Sequence, residues 1–467
     1  MSAFTWTDAG VRTALGLRVD LARDGVEYEG VSTDSRTIRK GELYVALVGD
    51  RFDGHDFVAE AFASGARAAV VSRAVPGDTG GRLYPVEDTL LALGALARYR
   101  RDYLAAPVVG ITGSAGKTTT KDLTRAALAG ARRVHATAGN LNNQVGMPLT
   151  LLAAPDDAEA VVLEMGTNEP GEIAALAAVA RPDVGVVTTV GEAHLEQLGS
   201  LEGVLEEKLD LLRGLAQGGR CVVGDEPDVL VRKARSLCGH VRVAGWSERA
   251  DEDLRPDTVE VDHWGNHTFR WRGRTVALSL PGRHAVTNAL LALAVSDLLG
   301  IAPRAAVAGL SGVTSGPLRG ELRRIGDLAV VVDCYNANPP SVRVALELLE
   351  GQQASRRVAV LGTMLELGDA SARLHRQMLS EALERDVDLV VATGAFAEAA
   401  SSLGVLGTSR VLTAATWQEA YPALRERLGG SEVVLLKASR GVAMEGILPL
   451  LEADFGDAGA GDAPEEA

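Results

Sequence analysis

Short, wholly apolar runs recur along the chain, each released by a glycine or polar turn into a longer stretch with helical spacing. In the first part, alternation over 42–47 predicts a strand, 57–64 a helix, and 68–71, after the stop at Gly65, a second strand. A helix over 89–103 follows. The run Val108-Val109-Gly110-Ile111 predicts a buried parallel strand that opens through small residues into a helix beginning near Lys117. Further strands are predicted at 160–163 and 184–189, and a helix carries Lys208. A polar, strand-rich stretch over 221–280, with a hairpin turn at 263–267, leads to an apolar helix over 289–299. Beyond it an apolar strand at Val330 ends in a dense polar elbow, and strands at 357–362, 388–393, 409–413 and 432–437 alternate with helices. That is the rhythm of a doubly wound sheet.

A chain of 467 residues is too long for one core. The pattern predicts an α/β protein of three units: a small α/β unit over 1–84, a central unit over 85–318 with a mainly parallel sheet around a phosphate-binding loop, and a Rossmann-like unit over 319–455. Residues 456–467, GDAGAGDAPEEA, read as a disordered acidic tail. A net charge of -15 argues against nucleic acid, so an anionic ligand must be held by local cations and backbone amides. Cys221, Cys238 and Cys334 have no metal-ligand spacing and cannot make an even disulfide framework, which suits a reducing compartment. The start MSAFTWTDAG has no basic stretch leading into an apolar core, and no apolar run approaches the ~20 residues of a membrane span. A cytoplasmic protein is expected.

The chemistry centres on PVVGITGSAGKTTTKD, residues 107–122. Gly113 and Gly116, with Ser114 and Ala115 between them, let the backbone bend round an anion, and the amides of the new helix point at it. Lys117 can neutralise phosphate oxygens, Thr118 can offer a hydroxyl to Mg2+, and Thr119 continues the polar run. The general phosphate-loop pattern would begin with glycine at 111, where this chain has Ile111, but the G-x-x-G-K-T core is intact. A polar loop with Asn140 and Asn143 would lie near the phosphates. Glu164 at a strand's carboxyl end is placed to hold a metal ion carried by a nucleotide. His194, on the next strand's exit loop, reads either as a ligand or as structural. Lys208 lies among Glu202, Glu206, Glu207 and Asp210, which fits a solvated ion-pair face. Asn288, at the start of the apolar helix, can be a cap or a ligand contact. Lys437, Ser439 and Arg440 offer another potential anion site. In the first unit, Thr33-Asp34-Ser35-Arg36 and Asp53-Gly54-His55 cluster hydrogen-bonding groups that serve a ligand or simply build surface turns.

These motifs, taken in order, resemble the Mur ligase family along nearly the whole chain: TDSR and DGHDF, TGSAGKTTTKD, GNLNNQVGMPLTLL, EMGTNEPGEI, GEAHLEQLGS, PGRHAVTN, DCYNANPPSV and LGTMLELG. The resemblance implies a UDP-binding first domain, a P-loop ATPase domain, and a Rossmann-like domain that closes over it. It implies an ATP-dependent amide ligase working with Mg2+ through an acyl phosphate, with UDP-N-acetylmuramoyl-tripeptide and D-alanyl-D-alanine as substrates and a monomeric state. Lys117, Glu164, His194 and Lys208 would be catalytic, and Thr118, Glu164, His194 and Lys208 would serve metal ions, the last as a carbamate. Asn288, Arg319, Asp333 and Asn336 would hold the nucleotide; Ser35, Arg36, Asp53, Gly54, His55, Asn140 and Asn143 would contact the UDP substrate. Two positions depart from the family pattern, Cys334 after Asp333 and Met364 after Thr363. A third-residue-adding ligase would carry an Asp-Asn-Pro-Arg signature, which this chain lacks, and folylpolyglutamate synthases lack the TDSR and DGHDF unit. From another class, a P-loop nucleotide switch would turn over ATP indifferently to peptides.

Overall fold

The computed structural model describes residues 4–19, 25–49, 51–75 and 80–456, so the predicted acidic tail lies, apart from Gly456, outside the described residues. Among them the strands form five sheets. The first unit holds a four-stranded parallel sheet ordered Val31–Ser32, Leu43–Val45, Ala68–Val71, Arg82–Pro85. Its core meets the helix Thr89–Tyr103, which buries Leu93 and Leu96 towards this unit and Ala97 towards the next.

The central sheet is ordered Val241–Ala244, Arg220–Gly224, Val184–Val187, Val108–Thr112, Ala160–Glu164, Val134–Ala136, with every pairing parallel. Its three strands Val108–Thr112, Ala160–Glu164 and Val184–Val187 are buried at every residue, as expected of parallel strands covered on both faces. The helix Arg283–Leu298 is apolar almost all round because it packs against both this sheet and the helix Lys117–Ala129. Strand Val108–Thr112 has Ala160–Glu164 on one side and Val184–Val187 on the other. Chain segments diverge there, opening the crevice in which α/β proteins seat ligands.

Three expectations need correction here. The stretch 221–280 is not strand-rich throughout: the helix Asp228–Leu237 separates two central strands, and only Asp257–Val261, Asn266–Trp271 and Arg274–Pro281 form an antiparallel sheet. The helix expected from 289 already begins at Arg283, which puts Asn288 inside it rather than at its cap. Cys221 and Cys238 are joined as a disulfide, because that helix folds back and brings their Cα atoms to 6.5 Å; only Cys334 is free. An odd count forbids a complete framework, not a single pair.

The third unit is a six-stranded sheet ordered Glu321–Ile325, Leu328–Asp333, Val433–Lys437, Arg357–Leu361, Leu389–Thr393, Val411–Ala414, parallel but for the first pair. One apolar cluster joins it to the central unit, running from Val187, Leu195 and Leu205 to Met364, Leu367 and Leu374. Among the described residues, no helix is long and apolar enough to cross a membrane.

Candidate nucleotide and metal site

Strand Val108–Thr112 delivers the chain into a turn that only glycine permits at two points. Gly113 has φ of 151°, and a Cβ there would meet Thr188 Oγ1 at 1.9 Å; Gly116 has φ of 80°, and a Cβ would meet Asn288 Oδ1 at 2.7 Å. The loop is clamped from outside as well. Ser114 N donates to Thr189 O at 2.9 Å, Ser114 Oγ donates to Gly191 O at 3.0 Å, and Thr188 Oγ1 donates to Ala115 O. No side chain caps the helix Lys117–Ala129, so its first-turn amides remain for an anion. Lys117 Nζ folds over the loop onto Gly113 O at 2.7 Å. Desolvation pushes its pKa below the usual lysine value, with Arg319 adding to the shift and Glu164 opposing it.

Glu164 ends its strand almost fully buried. Its Oε1 accepts from Asn142 Nδ2 at 2.8 Å, while Oε2 is buried without a partner among the described residues. Lys208, on the helix Leu201–Arg213, has no exposed surface, and its Nζ has no partner among the described residues. Burial drives its pKa well below the usual value, and Lys117 pushes the same way, against Glu207 and Glu172. The solvated ion-pair face is therefore excluded for Lys208; on that helix Glu206 pairs with Arg213 and Lys233 instead. A buried carboxylate oxygen and a buried amine, both unpartnered, are what a site for a cation and its ligands leaves behind when described as protein alone. With the loop's free amides, these residues fit a nucleotide and Mg2+, although the described residues contain no cluster of three His, Cys, Asp or Glu side chains.

His194 caps the short helix Leu195–Leu198 in a left-handed conformation. Its Nδ1 stands 2.6 Å from Glu366 Oε2 of the third unit, close enough for an ion pair yet off line for a hydrogen bond. That unit also meets the phosphate loop: Asn338 Nδ2 donates to Ser114 O at 3.3 Å, and Gly191 faces Pro340 so closely that a Cβ would lie 2.4 Å from Cγ. Arg319 stacks on Tyr335 with its guanidinium carbon 3.6 Å from the ring centroid. Asp333 Oδ2 accepts from Lys437 Nζ at 2.7 Å, as does Asn336 O. Lys437 is thus spent on the elbow, and Arg440 pairs with Glu445, so the anion site expected at Lys437, Ser439 and Arg440 is not formed. Ser439 Oγ instead bridges Leu365 N and Ala337 O.

Several substrate candidates are occupied internally. Asn143 Oδ1 caps Val145 N and Gly146 N, and Asn140 is exposed; their neighbour Asn142, which the sequence did not single out, reaches Glu164. Arg36 lies in solvent and binds Asp34 at 2.9 and 2.7 Å, beside the buried Ser35. Gly54 is required because a Cβ would lie 2.7 Å from Leu47 O. The ring of His55 is fully buried: Nδ1 lies 2.6 Å from Asp53 Oδ1, and Nε2 accepts from Ser72 N at 2.8 Å. Both ring nitrogens are thus engaged within the first unit. His55→Ala should strand Ser72 N and lower stability by about 1–3 kcal/mol, readable as an earlier thermal transition.

Two further residues stand at the site without having been anticipated. Glu207 accepts from Thr167 Oγ1, Gly171 N and Ile173 N, pinning the loop beyond Glu164. His284 lies near Asp333 and Lys437, and desolvation pushes its pKa to about 4. Its place in PGRHAVTN was the available signal; Glu207 had none beyond its helix.

Family comparisons match the chain in three segments: 27–101 to the model described as Mur ligase family, catalytic domain; 111–296 to Mur ligase middle domain; and 319–440 to Mur ligase, glutamate ligase domain. The UDP-N-acetylmuramoyl-tripeptide–D-alanyl-D-alanine ligase of Bacillus subtilis is 37% identical over 425 residues, covering 90% of this chain and 92% of that protein. Among solved structures, MurF from Acinetobacter baumannii superposes with a TM-score of 0.87 at 30% identity over 97% of this chain and 100% of the other. MurF ligase from Thermotoga maritima in complex with ADP gives 0.80 at 29% identity over 91% and 97%.

Proposed function

Because the chain belongs to the Mur ligase family, we propose that it is an ATP-dependent ligase joining D-alanyl-D-alanine to UDP-N-acetylmuramoyl-tripeptide in peptidoglycan precursor synthesis. The observation that carries this choice of substrates is the end-to-end likeness to relatives of that name, first unit included. A peptide carboxylate is a poor acyl donor, so the γ-phosphoryl of ATP is transferred to it, and the amine then displaces phosphate through a tetrahedral intermediate. Both steps gather charge on phosphoryl oxygens. The answer to that problem is a set of preorganised cations.

In this reading the loop 113–116 and the amides of Thr118 and Thr119 cradle the phosphates, and Lys117 neutralises them. Thr118 and Glu164 hold Mg2+, supported by the unpartnered Oε2, and His194 faces a second ion. Magnesium supplies charge stabilisation and alignment of the phosphates when bound. Lys208 reacts with carbon dioxide to give a carbamate, supported by its unpaired amine of depressed pKa, since the neutral amine is the form that reacts. Asn288, Arg319, Asp333 and Asn336 hold the nucleoside across two units, and Ser35, Arg36, Asp53 and Gly54 contact the UDP substrate. The units are taken as 1–84, 85–318 and 319–455. The work is cytoplasmic; the enzyme is a monomer and uses no nucleic acid.

Phosphate release measured across a matrix of UDP-muramoyl peptides and amines tests the reading. Turnover is expected only with the tripeptide and D-alanyl-D-alanine together. Equal turnover with glutamate and a folate, or with no acceptor at all, would overturn it.

A further inference from the structure

The loop that follows strand Arg357–Leu361 holds Glu366 at φ of 62°, a conformation that costs a side-chain-bearing residue free energy and persists only when surroundings impose it. What imposes it lies across the unit boundary. Glu366 O accepts from Glu196 N at 3.1 Å, Gly368 packs on Glu196, and Glu366 Oε2 stands 2.6 Å from Nδ1 of His194, itself left-handed at φ of 53°. Two unfavourable backbone conformations thus face one another from different units, so that a half-exposed carboxylate meets a largely buried ring.

We propose that Glu366 is a positioning residue: it fixes His194 as the Nδ1–H tautomer, leaving Nε2 to face the reacting centre, and so makes docking of the third unit a condition for assembling the site. The inference rests on the reading that His194 serves that centre. A carboxylate behind a ligand histidine sets which ring nitrogen is free and how the ring is turned, and loss of such a partner typically costs about 10–100-fold in activity or metal affinity. The short separation with poor alignment requires only a small rotation of the ring to complete the bond.

Glycine at 366 separates strain from chemistry. In the full-length protein, Glu366→Gly should melt no earlier than wild type, since glycine adopts the left-handed conformation freely. Its kcat should nevertheless fall about 10–100-fold with KM for ATP within about twofold, and Glu366→Gln, whose amide oxygen can still accept, should recover most of the rate. Nitrogen-15 spectra of the histidine rings, with His194 assigned by its loss in His194→Ala, should show an Nδ1-protonated ring in wild type and a mixture of tautomers in Glu366→Gly. Wild-type kcat together with an unchanged His194 tautomer in Glu366→Gly would overturn the proposal. If His194→Ala is inactive while Glu366→Gly is not, only the positioning role fails. If His194→Ala is fully active, the role given to His194 fails, and this proposal with it.

Discussion

Lys117→Ala is expected to slow ligation by about a hundredfold or more while its melting curve scarcely moves. Loss of a charge contact to a transferring phosphoryl costs on the order of 3 kcal/mol in the transition state. The folded protein, by contrast, loses one hydrogen bond to Gly113 O and is relieved of a desolvated cation beside Arg319. Glu164 needs a gentler substitution. Alanine would strand the Asn142 amide that Oε1 now accepts, at about 1–3 kcal/mol, and blur fold with function. Glu164→Gln keeps that bond and removes only the charge, so it should match Lys117→Ala in rate and wild type in stability. Should both variants melt early and keep their specific activity, the residues are structural.

Lys208→Met should abolish ligation and make the protein more stable. The side chain is wholly buried with no partner for its amine, and an apolar chain of similar length fills the same volume without desolvating a polar group. A gain of roughly 1 kcal/mol or more is expected, a few degrees in melting temperature. In protein kept free of carbon dioxide, where Lys208 stays an amine, the pH dependence follows from the depressed pKa. Between that value and the 10.5 of the unfolded chain, the unfolded state binds a proton the folded state lacks, so wild-type stability rises with pH across that window. Lys208→Met should lack that rise. Lys208→Arg, which forces a permanent cation into the same place, should be both inactive and less stable. An arginine variant with the wild-type rate at saturating magnesium would remove the carbamate, and equal pH profiles for wild type and Lys208→Met would remove the buried neutral amine.

The phosphate loop was legible because its chemistry is local: the apolar strand, Gly113, Gly116 and Lys117 lie within one turn of chain, and their order dictates geometry. Glu164 was legible for a similar reason, as the residue at a strand's end. What the sequence hid depends on distant partners. Nothing local distinguishes a lysine on an acid-rich helix facing solvent from one facing the sheet, so the pattern around Lys208 fits an ion-pair face, and only the family resemblance pointed elsewhere before its burial was seen. His55 shows the same dependence: its turn is rich in hydrogen-bonding groups, but the partner of its ring, Ser72 N, comes from beyond the next strand. Glu366 and Asn142 likewise acquire meaning only through His194 and Glu164. The helix Asp228–Leu237 was missed because its polar face was read as strand and turn.

Gly191 meets the Pro340 ring with no room for a single added methyl group. That contact lies beside the phosphate loop yet uses none of the groups assigned to the nucleotide, which makes the position a doorstop. Gly191→Val would prop the third unit away from the second, so the nucleotide keeps its phosphate cradle but loses its contacts from the third unit, giving a protein that takes up nucleotide more weakly and cannot complete a turnover. A small rigid compound lodged between Gly191 and Pro340 would do the same from outside, and because ATP draws the two units together, raising the ATP concentration would work against it without competing for its place.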